Sequence, residues 1–157
     1  MGWGNPTTLL LGALVLLLVS AGIQDARVRE IANWKNAAIA LLAPLWWWAN
    51  GLQMWPDIVV QLGVAFTVFG LFCVAFHFGW MGGGDVKMIG ALALWFPFVA
   101  LSSLLIVMSL IGGALTILMM IEQKLQKKSG GIEIPYGVAI AIAALFAIRE
   151  PIFNQFT

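Results

Sequence analysis

Two aspartates carry the chemistry this chain could do. Asp85 sits in the run Gly82-Gly83-Gly84-Asp85-Val86-Lys87 between two strongly apolar stretches, and Asp25 closes another apolar stretch near the start of the chain. An ionisable side chain at the edge of a membrane helix is expensive to keep there and points to function by default. Two carboxylates at one depth can share a proton, because like charges at close range resist joint ionisation. Such a pair is acid and base together. The ionised member can take a proton from a water attacking a peptide carbonyl, while the protonated member stabilises the oxyanion or protonates the leaving amine. Partial burial would raise the second pKa, and the apparent values would belong to the pair. This chemistry needs no metal.

The residues around the acids admit two roles each. Gly82, Gly83 and Gly84 could let an extended peptide backbone pass beside Asp85, or could form a tight turn from which Asp85 caps the next helix. Lys87 could tune the acids or bind a substrate carboxylate, or could snorkel to the lipid headgroups. Asn33 could cap the second helix or orient a loop. Tyr136 could face the acids or anchor a helix at the interface. His77 has no second histidine or partner cysteine to complete a metal set, so neither metal nor cofactor is expected. Cys73, the single cysteine, lies inside an apolar run and reads as a small core residue.

The elements that must position these residues follow from composition. With 157 residues, 62% hydrophobic and 10% charged, the chain carries too much apolar surface for one soluble core, so it is expected to be an integral membrane protein. Long Leu, Ala, Ile and Val runs predict an all-α fold rather than a barrel. A net charge of +1, held in short basic clusters between apolar runs, gives no ground for a nucleic-acid partner. About six transmembrane helices are predicted in one membrane domain, 1–157, with spans near 7–24, 36–52, 58–78, 88–98, 102–121 and 135–148.

The first run lacks a basic n-region and is kept as a permanent span. The charged stretch from Asp25 to Lys35 is expected to be a loop or interfacial segment. Trp46, Trp47, Trp48 and Trp55 mark a membrane boundary. No charge occurs from Met88 to Ile121, and Trp95-Phe96-Pro97-Phe98 is read as an aromatic boundary and a helix break inside that run. Gly112 and Gly113 could allow close helix packing. Glu122 to Glu133 is read as a solvated loop, and Pro135 suits the first turn of the last helix, which ends before Arg149-Glu150-Pro151. Arg27, Arg29 and Lys35, then Lys87, then Lys124, Lys127 and Lys128 fall on one side of this arrangement, against Arg149 on the other. That asymmetry places both termini outside and brings Asp25 and Asp85 to the cytoplasmic face. Asp57 falls across the membrane, and Glu122 and Glu133 border the lysine loop.

These residues resemble a known family. The run from Asp25 to Asn33 resembles the first aspartate motif of the type IV prepilin peptidases, and Gly82 to Lys87 is similar to their Gly-x-Gly-Asp-x-Lys motif. Ile134-Pro135-Tyr136-Gly137 is similar to the opening of their last helix. The resemblance implies an intramembrane-type Gly-x-Gly-Asp aspartic peptidase fold in a bacterial inner membrane. It implies an endopeptidase that cuts the basic leader from type IV or Flp-type prepilins and pseudopilins at the cytoplasmic face, with Asp25 and Asp85 as the catalytic pair. Such a substrate keeps its apolar helix in the bilayer, so the scissile bond waits at the depth assigned to the two acids. Ile31-Ala32-Asn33 departs from the family's usual Ile-Pro-Asn. The single cysteine and the missing cysteine-rich insert resemble the compact tight-adherence branch, which implies no N-methyltransferase activity. A proton-coupled transporter, with its acids near mid-membrane, and a non-catalytic pilus or secretion assembly subunit are the alternatives in other classes.

Overall fold

The computed structural model describes residues 5–126 and 134–149. Lys127, Lys128, Glu133, Glu150 and Pro151 lie outside the described residues. Among the described residues six α-helices follow one another: α1 Pro6–Val28, α2 Asn33–Ala49, α3 Val59–His77, α4 Gly83–Ala93, α5 Phe98–Leu125 and α6 Tyr136–Arg149, with one wide turn, Met54–Ile58, leading into α3. The protein is an all-α polytopic membrane protein. α1, α5, and α3 with its lead-in turn are each long and apolar enough to cross a membrane, and most of their apolar surface faces outward, as at Leu16, Phe66 and Leu110.

Local chemistry sets the helix limits. Pro6 opens α1, where its missing N–H costs nothing. Arg29 ends α1 in the left-handed region, φ 58°, with its N–H donated to the Asp25 carbonyl at 2.9 Å. The charged stretch expected as a loop is therefore mostly helix. α1 runs past Asp25 to Val28, α2 begins at Asn33, and four residues connect them. Lys35, read from sequence as a solvated topology charge, is buried in the first turn of α2 and donates from Nζ to the Ser20 carbonyl of α1 at 2.9 Å. Its long stem lets the ammonium cross to the neighbouring helix instead of reaching water. At the other end of the chain α5 continues through Lys124 to Leu125, so the first residues expected in a basic loop extend the helix.

α4 and α6 occupy the middle. α1 packs on α6 and α2, α5 on α6, and α4 on α2, α3 and α6. α6 buries Ala139, Ala141, Ala143, Ala144 and Ala147, small side chains that let its backbone approach its neighbours closely. α4 spans eleven residues, a rise of about 16 Å, and does not cross a bilayer. It begins and ends upstream of the 88–98 expected from hydropathy.

The break after α4 corrects a second expectation. Trp95 and Phe96 are fully buried instead of lying in an aromatic belt, and Trp46 and Trp47 are buried as well, leaving Trp48 and Trp55 exposed. Backbone groups at a helix end inside a membrane must find partners within the protein. Gln61 of α3, itself buried, donates from Nε2 to the Ala93 carbonyl at 2.7 Å and to the Phe96 carbonyl at 2.6 Å. Trp47 Nε1 donates to the Leu94 carbonyl at 2.8 Å, and Trp95 Nε1 to the Ile39 carbonyl at 2.8 Å while its ring stacks on Trp46. Trp47 thus caps the interrupted helix, and Trp95 ties the chain after it to α2. Gln61→Leu removes the donor shared by two carbonyls and should lower stability by about 1–2 kcal/mol, read as a shifted unfolding midpoint in detergent. An unchanged midpoint would show that water reaches those carbonyls.

Candidate active site

Asp25 occupies the last turns of α1 and Asp85 the first turn of α4. Both are nearly buried, with 4% and 8% of their surfaces exposed, and the exposed remainder opens on the same polar cavities. A cavity of about 450 Å³ is lined by Asp25, Arg29, Trp80, Asp85 and Tyr136, among others. A second, of about 280 Å³, shares both acids and adds Ile31, Asn33, Gly83 and Gly84. The helices that carry the acids meet chiefly through α2 and α6 rather than as a packed pair.

α6 positions Asp25. The Val138 N–H donates to Asp25 Oδ2 at 3.2 Å, and the Gly137 N–H also reaches the carboxyl. These are first-turn amides, the Val138 N–H being shared with the Pro135 carbonyl at 3.1 Å, at the end of the helix where the dipole favours negative charge. Close approach is possible because residue 137 is glycine. A methyl added there would lie 2.7 Å from Ile31 Cδ1 and 2.9 Å from both Cγ and Oδ2 of Asp25. Burial disfavours the Asp25 charge, and the two amides together with the Arg29 guanidinium favour it. Arg29 holds its position in a left-handed conformation that costs a non-glycine residue roughly 1 kcal/mol, a strain of the kind found at functional sites.

Asp85 meets a poorer set of donors. It is the third residue of α4 and reaches back to the N–H of Gly82, the N-cap, as the acidic member of a capping box does. Burial, and next the negative charge of Asp25, push its pKa up to about 7 against the pull of the Gly82 N–H.

The three glycines divide. Gly82 lines both cavities, and a Cβ there would lie 3.0 Å from Asp85 Oδ2. Gly83 and Gly84 are helical, and their free sides are taken up by protein: a Cβ would lie 3.3 Å from the Phe76 ring at Gly83 and 3.3 Å from Ile31 Cβ at Gly84. The Gly84 carbonyl accepts from Asn36 Nδ2 at 3.0 Å, so this glycine serves helix packing. Lys87 stands apart from the acids. It is exposed, and its Nζ donates to Asn33 Oδ1 at 2.8 Å. Asn33 is accordingly the partner of Lys87 and not a cap of α2, whose N-cap is Ala32.

Tyr136 lines the larger cavity with its ring against Gly112, where a Cβ would lie 2.9 Å from Cε1; nothing lies close to Gly113. His77 is exposed at the end of α3, edge-on to Phe78. Among the described residues no group of three or more His, Cys, Asp or Glu side chains is placed to hold a metal ion. Gly137 and Arg29 are the positions whose importance was not apparent from residue type. The motif Pro135-Tyr136-Gly137 was the available signal for Gly137, and Arg29 gave none because any basic residue near a membrane reads as a topology charge. Gly137→Ala must displace α6 or the Asp25 and Ile31 side chains packed on it, and should lower stability by about 1–3 kcal/mol, measured as a lowered melting temperature in detergent. Gly113→Ala, which meets no atom within 4 Å, is the matched control.

Comparison with curated proteins and with solved structures finds no match. The model of the type IV leader peptidase family matches residues 12–117, a stretch that contains both Asp25 and Asp85 and ends before α6. With two thirds of its length matched, and with an acid on each of two helices opening on common cavities at one end of the bundle, the chain belongs to the type IV leader peptidase family.

Proposed function

We propose that the protein is an aspartic endopeptidase of the bacterial inner membrane that removes the leader from type IV or Flp-type prepilins at the cytoplasmic face, with both termini outside. The observation that carries this reading is the pair of nearly buried carboxyls on one cavity, held in unlike surroundings. Family membership supplies the reaction class. The unlike surroundings supply the roles.

Asp25, with two α6 amides and Arg29 beside it, is the ionised member, and Asp85 is the neutral one. A water between them loses a proton to Asp25 as its oxygen bonds to the scissile carbonyl carbon. Asp85 gives its proton to the developing oxyanion. As the tetrahedral intermediate collapses the C–N bond breaks, and the proton held by Asp25 passes to the leaving amine. The Asp85 carboxylate takes back a proton from the hydroxyl whose oxygen re-forms the carbonyl, which returns the pair to its starting state. The Tyr136 ring and Trp80 wall the cavity in which this occurs.

Purified protein in detergent should cleave a prepilin, and Asp25→Asn and Asp85→Asn should each lower the rate at least about 10²-fold. Cleavage that survives either change removes that residue from the mechanism. The wild-type rate should fall as pH rises through about 7, since ionising Asp85 removes the proton that the oxyanion requires. A rate that instead rises across that interval would reverse the assigned roles. The compact branch is proposed to lack methyltransferase activity; a methyl group passing from S-adenosylmethionine to trimmed pilin would refute this.

A further inference from the structure

On the opposite side of Lys87 from the acids lies an apolar groove of about 560 Å³ between α2, α3 and α4. Its floor is made of Ala37, Ala40, Ala65 and Ala91, with Phe66 and Phe69 as one wall. Its polar end consists of Asn33, Asn36 and Lys87. Asn33 also lines the smaller acid cavity, so the groove and the cavity meet at that residue. We propose that this groove seats the apolar helix of the substrate, so that the bond to be cut lies over the acid pair while the helix that follows it rests on α2, α3 and α4. The inference rests on the peptidase reading and deepens it.

Three observations favour a helix over the acyl chain of a lipid. The first is the continuity through Asn33, which gives a single peptide a path from one compartment to the other. Next is the floor, where small side chains from three helices let another backbone come close, the basis of helix association in membranes. The last is a polar atom. Asn36 is 4% exposed and spends its Nδ2 on the Gly84 carbonyl, while its Oδ1 is buried without a donor. A buried acceptor left in this state costs about 1–3 kcal/mol. A helix entering from an extended segment brings free N–H groups in its first turn, the class of donor that Oδ1 lacks. An acyl chain brings none. The Lys87 ammonium at the same level suits an acidic side chain in that turn, where the helix dipole also favours one.

The test uses the full chain in the Asp85→Asn background, with p-benzoylphenylalanine in place of Phe66 on the groove wall or of Phe146 on the exposed face of α6, photolysed in liposomes with bound prepilin. The helix of the prepilin should be trapped from Phe66 at least about tenfold more than from Phe146. Equal trapping, or lipid adducts alone at Phe66, would overturn the proposal. Filling the floor in the active enzyme with Ala40→Phe should raise KM for prepilin about tenfold with little change in kcat, and an unchanged KM would likewise count against it. If wild-type protein does not cleave while Phe66 still traps the helix, the peptidase reading fails and the groove stands. If cleavage proceeds and Phe66 traps nothing, the groove alone is rejected.

Discussion

A carboxylate withdrawn from water at the edge of a bilayer must either hold a proton or be surrounded by donors. The arrangement of α1, α4 and α6 meets this constraint twice, in different ways. Both are buried, but Asp25 is given the first-turn amides of α6 and a neighbouring guanidinium, whereas Asp85 is given the charge of Asp25 and only the N–H at the cap of its own helix. The inequality makes one member of the pair the natural site for a negative charge and the other the natural site for a proton. It also explains features remote from the acids. α6 must come within van der Waals contact of α1, which requires glycine at 137, alanine along the buried face of α6, and at Gly112 a gap for the Tyr136 ring.

The height of Asp85 depends on a second constraint, the interruption of a helix inside the protein. α4 is held at both ends by side chains from other helices. Asn36 grips the Gly84 carbonyl in its first turn, and Gln61 and Trp47 take the carbonyls that its last turn leaves open. The bonds from Gln61 and Trp47 satisfy backbone groups that lipid could not, while Asn36 adds a second donor to a carbonyl at the start of the helix. Together they fix a short helix along its axis, and so fix the carboxylate that it carries. Asp85 is at once a cap, a buried acid and one half of a pair, and the three roles agree because each calls for the same place at the start of α4.

Lys87 and Asn33 form the boundary between two unlike compartments. On one side lie the polar cavities with the two acids, and on the other an apolar groove open between α2, α3 and α4. The prepilin proposed as substrate, a polar leader joined to an apolar helix, has the same two-part character. Lys87 is hydrogen-bonded to Asn33 and lines neither acid cavity, and the acids are set by burial, backbone amides, Arg29 and the charge of Asp25.

Much of this was legible in residue order. The apolar runs specified an all-α membrane protein, because nothing else disposes of so much hydrocarbon, and the cost of charge near lipid singled out Asp25 and Asp85. The Gly-x-Gly-Asp and Pro-Tyr-Gly motifs pointed to the elements that surround them. Hydropathy could not distinguish a lysine in a loop from Lys35 reaching Ser20 across a helix interface, nor interfacial tryptophans from Trp47 and Trp95 bonding buried carbonyls. It was also blind to the difference between Gly82, open to the acids, and Gly84, closed by Ile31. In each case the residue type is the same and the partner lies far away in the chain. Sequence alone determined which groups were costly enough to need partners, since that is a property of the groups and of lipid; the tertiary structure alone decided which partner each one found, since that depends on the distances between helices that only packing sets.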